Sequence, residues 1–100
     1  MSLESLTQRI RQRAAQAARL GYTVKFALDE DGVIRWDGTG SAPLIDTVDG
    51  PADTTIRISE DNLEQLLSGA LDPTLAYMTG KLRVEGSLGV AMKLTTLLGD

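Results

Sequence analysis

Cysteine and histidine are both absent from the hundred residues. Without thiols there is no disulfide framework, no thiolate zinc site and no cysteine nucleophile. Without imidazole the chain lacks the commonest general base and the commonest transition-metal ligand. No apolar run approaches the roughly 20 residues that span a bilayer, and the first residues form a polar amphipathic segment without the apolar centre of a signal peptide. This pattern predicts a soluble, cytoplasmic protein. The net charge of −4 argues against nucleic acid as a partner.

What remains is ordinary and globular. Apolar residues make up 42% and charged residues 24%, a balance that folds rather than staying disordered. One hundred residues suffice for one small core, so residues 1–100 are expected to form a single domain. Residues 3–20 read as a helix, with Leu3, Leu6, Ile10, Ala14 and Ala17 at helical spacing and Gly21 as its stop. Four arginines and one glutamate give residues 1–20 a charge of +3, leaving −7 on the other eighty. A basic amphipathic helix can lie on an anionic membrane surface. The stripe here is rich in alanine and thin in bulky anchors, which favours packing on a sheet.

Strands follow. Tyr22 to Leu28 alternates, with Tyr22, Val24, Phe26 and Leu28 on one face. Asp29-Glu30-Asp31-Gly32 is a turn and lacks the ligand spacing of a calcium loop. Val33 to Asp37 is the second strand, with Ile34 and Trp36 sharing a face. Leu44 to Val48 is a short third strand whose flanking Pro43 and Pro51 suit an edge. Thr54 to Ile58 is the fourth. Ser59 then caps a helix with Glu60 and Asp61 in its first turn, where the helix dipole favours acids. Its buried edge is Leu63, Leu66 and Leu67.

The last third is the most sharply punctuated. Asp72 is an N-cap and Pro73 suits the first helical position. Gly80 can take the left-handed conformation that ends the helix. Leu82 and Val84 mark the inner face of a fifth strand, Gly86 breaks it, and Ser87 caps a last helix. That helix is unusual. Val90, Ala91, Leu94, Leu97 and Leu98 make one broad apolar face, while Leu88 and Met92 fall nearly opposite. A helix this apolar needs cover on more than one side. The order predicts an α/β (α+β) fold, a five-stranded mixed sheet with helices on one face. The first three strands should run antiparallel, and the fourth and fifth can be joined by a crossover.

The runs Gly69-Ala70-Leu71-Asp72-Pro73, Ala76-Tyr77-Met78-Thr79-Gly80-Lys81-Leu82 and Val84-Glu85-Gly86-Ser87-Leu88-Gly89-Val90-Ala91-Met92-Lys93-Leu94 resemble the C-terminal signature of the sterol carrier protein type-2 family. Tyr77 stands where that family usually has Phe, Ser87 where it has Asn, and Leu88 where it has Met. The dense match covers residues 69–94, and the upstream order of elements agrees. The resemblance implies a sheet covered by helices that encloses an apolar tunnel for a lipid.

Such a tunnel has an energetic consequence. A ligand pocket of about 300 Å³, left empty at about 24 cal/mol per Å³, would cost roughly 7 kcal/mol. That equals the whole stability of an ordinary domain. The space must therefore be filled, collapsed or open to water, and a ligand should stabilise the fold. The residues expected to line it are Phe26, Trp36, Tyr77, Met78, Val90, Leu94, Leu97 and Leu98, with Met78 and Met92 able to repack around varied shapes. Tyr77 is expected to hydrogen-bond to a carbonyl rather than to a headgroup.

The function expected is non-enzymatic binding or transfer of a fatty acid, fatty acyl-CoA or sterol-like lipid, without cofactor or metal. A transient membrane-surface contact fits this role. The alternative is an interaction module that binds a partner protein or a second copy through the last helix, by an exposed apolar patch. Catalysis is not expected. The carboxylates, from Asp29 to Glu85, sit at turns, caps and exposed strand positions, and no acid–base pair stands out.

Overall fold

Capping residues set the starts of the last three helices. The computed structural model describes residues 3–16, 20–28 and 32–98, the side chains of 96–98 excepted. The elements are α1 (Leu3–Gln16), β1 (Thr23–Ala27), β2 (Val33–Asp37), β3 (Leu44–Asp46), β4 (Thr54–Ile58), α2 (Glu60–Leu67), α3 (Pro73–Met78), β5 (Leu82–Gly86) and α4 (Leu88–Leu98). Ser59 Oγ accepts from Asn62 N, Asp72 from Leu75 N, and Ser87 Oγ from Val90 N at the start of α4. Residues 17–19, the end of the expected first helix, and 29–31, the acidic part of the expected turn, lie outside the described residues.

The sheet has the order β3-β2-β1-β4-β5. Strands β1, β2 and β3 form the expected antiparallel meander, and β1 pairs with β4 in parallel. The crossover expected between β4 and β5 does not occur, because these strands pair antiparallel. Leu82, which opens β5, lies opposite Ile58, which ends β4. The two intervening helices therefore form an excursion that returns the chain to where it left. The parallel pair is instead β1 and β4, joined through β2 and β3.

Alternation then decides the two faces. Val24, Phe26, Ile34, Trp36, Ile56, Ile58 and Leu82 are buried beneath the helices, together with Leu6, Ile10, Leu63, Leu66, Leu67, Ala91 and Leu94. The opposite face carries Lys25, Arg35, Arg57, Arg83 and Glu85. Among the described residues three ion pairs lie there: Lys25 with Asp49 at 2.9 Å, Arg35 with Asp46 at 3.3 Å, and Arg57 with Glu85. Tyr22, expected on the inner face, precedes β1 and is exposed.

Helix α1 packs on α2, α4 and the edge strand β3 rather than on the sheet alone, and it buries Leu6, Thr7, Ile10 and Ala14, so bulky side chains lead the stripe where alanine was expected to. Two of its arginines are structural: Arg11 donates to the Ile45 carbonyl of β3 at 3.0 Å, and Arg13 to Leu67 at the end of α2 at 2.9 Å. The second bond satisfies a terminal helix carbonyl that would otherwise lack a partner.

Candidate functional site

The helical cover over the sheet is uneven. Strands β1 and β2 are closed by bulky buried side chains, with Phe26 fully buried and Trp36 at 1% exposure. Over β5 the cover is thin. Helix α3 has six residues and buries only Ala76, while Leu75, Tyr77 and Met78 face outward at 53%, 42% and 75% exposure. Beside it, Leu88 at the start of α4 is exposed, and Val84 and Val90 are half-buried against the core. The seam between α3, α4 and β5, all three in contact, is thus a place where apolar surface meets solvent; Leu44 and Val48, exposed in β3 and just beyond it, make another.

Local chemistry fixes this seam. Asp72 and Pro73 set the phase of α3, so Ala76 points inward and Leu75 and Met78 share an outer edge three residues apart. Gly80 then takes φ +79°, and Lys81 N donates to Ala76 O, a terminal bond of the kind that ends a helix at glycine. At Gly86, with φ +105°, an added Cβ would lie 2.7 Å from the Asp53 carbonyl oxygen. Buried Thr54 holds the same corner: its hydroxyl receives Ser87 N at 3.3 Å. Nothing in the alternation of β4 singles out Thr54 for this role. Thr95, buried in α4, is satisfied by the Met92 carbonyl at 3.1 Å, so it presents no orphan polar group.

The residues expected to line a tunnel therefore divide. Phe26, Trp36 and Leu94 are brought together in the core, Val90 borders it, and Tyr77 and Met78 stand outside on α3. Among the described residues the Tyr77 hydroxyl meets no carbonyl acceptor. The side chains of Leu97 and Leu98 lie outside the described residues. Leu75 and Leu88 were not among the residues expected to line the tunnel, although Leu88 stood out on the second apolar side of the last helix and the i, i+3 spacing of Leu75 and Met78 after a proline-started helix was a usable signal.

An apolar tunnel is not seen among the described residues. Their clefts, about 270 to 290 Å³ each, carry mainly polar and charged linings. No group of three or more acidic, histidine or cysteine side chains that could hold a metal occurs among the described residues. None of their helices is long and apolar enough to cross a membrane.

Three carboxylates on the helix-free side have pKa values held below the ordinary range. Hydrogen bonds from the Thr39 hydroxyl and amide lower that of Asp37, Lys25 lowers that of Asp49, and Arg57 lowers that of Glu85. All three are engaged with neighbours, and none is raised as a general acid would need to be.

Comparison with known proteins agrees with this architecture. "Sterol carrier protein 2" of Oryctolagus cuniculus is 38% identical over 58 residues, 58% of this chain and 11% of that protein. The chain thus spans about a ninth of that relative's length. Among solved structures, Sterol Carrier Protein 2 Like 2 from Aedes aegypti superposes with a TM-score of 0.74 at 20% identity, covering 96% of this chain and 95% of that one. The solution structure of palmitated SCP2L2 from the same organism gives 0.73 at 20% identity, with 100% and 96% covered. At these identities the structural likeness is one of fold. A family model described as the SCP-2 sterol transfer family matches residues 3–99, nearly the whole sequence, and the chain belongs to that family.

Proposed function

We propose that residues 1–100 act as one non-enzymatic carrier that binds a hydrophobic lipid between the sheet and its helices. Fatty acid, fatty acyl-CoA and sterol-like molecules are the ligand classes. The observation that carries this reading is the thinly covered seam of α3, α4 and β5 in a chain of the SCP-2 sterol transfer family. The lipid enters there, past Tyr77, Met78 and Val90, and displaces the packing around Phe26, Trp36 and Leu94, with Leu97 and Leu98 completing the lining. Burial of alkyl surface at about 25 cal/mol per Å² drives binding, so selectivity is broad. The palmitated state named for a fold neighbour makes a saturated fatty acid the first ligand to try. No cofactor takes part, and the carrier works in the cytoplasm, meeting membranes only in passing.

The test is native mass spectrometry of the purified protein with added palmitate, alongside thermal unfolding. One palmitate per chain is expected. Ligand at about 100 times its Kd adds roughly 2.7 kcal/mol, which raises Tm by on the order of 10 °C for a domain of this size. An unliganded mass, with no thermal shift from fatty acids, acyl-CoAs or sterols, would sink the reading.

A further inference from the structure

Among the described residues, the helix-free side of the sheet pairs its cations with acids, with one exception. Lys25, Arg35 and Arg57 each meet a carboxylate. Arg83 meets none among the described residues, and it stands directly opposite Arg57 in the β4–β5 register. Like charges directly opposed on antiparallel strands destabilise a sheet. The arrangement is the more notable in a chain with a net charge of −4.

The same two arginines line a cleft of about 270 Å³, completed by Ile58, Ser59, Asn62, Gly80 and Lys81. Three of its seven lining residues are cationic, Asn62 adds an amide, and no carboxylate lines it. Lys81 also has no ion-pair partner among the described residues. The space beside Gly80 is open, since an added Cβ there would meet nothing within 4 Å. The nearest acids do not fill the need: Glu60 and Asp61 lie on the first turn of α2 outside the lining, and Glu85 is held by Arg57.

We propose that this cleft binds a phosphate group, with Arg83, Lys81 and Arg57 as its cationic donors and Asn62 as a neutral one. A tetrahedral dianion suits the site because arginine forks pair with phosphate oxygens in bidentate fashion while lysine adds a mobile point charge. Binding also relieves the repulsion between Arg57 and Arg83. The phosphate is either a free anion or the headgroup of a single-chain amphiphile whose tail follows the exposed Leu75 and Met78 of α3, next to Gly80 and Lys81. The amphiphile source rests on the lipid-carrier reading above, whereas the anion site does not.

The test is an NMR titration of amide shifts with inorganic phosphate, at constant ionic strength set with sodium chloride. Saturable shifts centred on Asn62 and on 80–83 are expected. Arg83→Gln should weaken binding by about tenfold, the usual worth of a charge-assisted hydrogen bond, and Arg83→Lys should restore part of it. Glu85→Gln should tighten binding by about threefold, because it removes the acid that competes for Arg57. Shifts that do not saturate, or that are unchanged in both Arg83→Gln and Glu85→Gln, overturn the proposal. Dodecyl phosphate and dodecanoate then separate the two sources. A tenfold preference for the alkyl phosphate that disappears in Arg83→Gln assigns the site to a headgroup, and equal affinities assign it to a free phosphate. Loss of palmitate binding with phosphate binding intact defeats the carrier reading alone.

Discussion

At the scale of single residues, bulk and exposure are separated in an instructive way. Trp36 and Phe26 are the largest fully buried side chains, and truncating either to alanine should cost about 3–5 kcal/mol. Met78, three-quarters exposed, should tolerate Met78→Ser within about 0.5 kcal/mol. Urea unfolding of the three variants checks this, and a large loss from Met78→Ser would place that side chain in the core. The burial of Phe26 and Trp36 was legible because strands alternate with period two. The outward positions of Tyr77 and Met78 were not, because α3 is under two turns long and its phase is set by Asp72 and Pro73 rather than by any repeating pattern. Arg83 shows a similar limit. Its charge is plain in the sequence, but its opposition to Arg57 exists only once the register is known.

At the scale of elements, the punctuation residues were dependable guides and the pairing of distant strands was not. Ser59, Asp72, Pro73, Gly80 and Ser87 each act where a cap or stop was expected, since capping depends on neighbours within four residues. The β1–β4 and β4–β5 pairings depend on contacts made across the whole sheet, which no local signal reports. Helix α3, with one buried residue, should open more readily than the strands beneath it. Asp72→Ala removes its N-cap, worth about 1 kcal/mol, and should speed hydrogen exchange of the amides of 76–79 about fivefold. The β1 and β4 amides should keep protection at the global level. Equal acceleration in helix and strands would mean that α3 does not open on its own.

At the scale of the whole molecule, the absence of histidine leaves no side chain that titrates normally between pH 5 and 8. Asp37, Asp49 and Glu85 have lowered folded pKa values, so they bind fewer protons folded than unfolded. Their contribution to stability is full above their unfolded values, near pH 4, and is lost as pH falls through the folded ones. The urea midpoint should therefore be flat from pH 8 to about 5 and fall below about pH 4. Asp37→Asn should make that fall shallower, and an unchanged slope would remove Asp37 from the account. The parallel seam has a consequence in time rather than in energy. Val24 and Thr54 are neighbours in the sheet though thirty residues apart in the chain, while the β1–β3 meander closes through nearer contacts. Joining distant segments is the slow step in mixed folds. The meander can form early, and the clock of folding is then set by the moment β4 arrives beside β1.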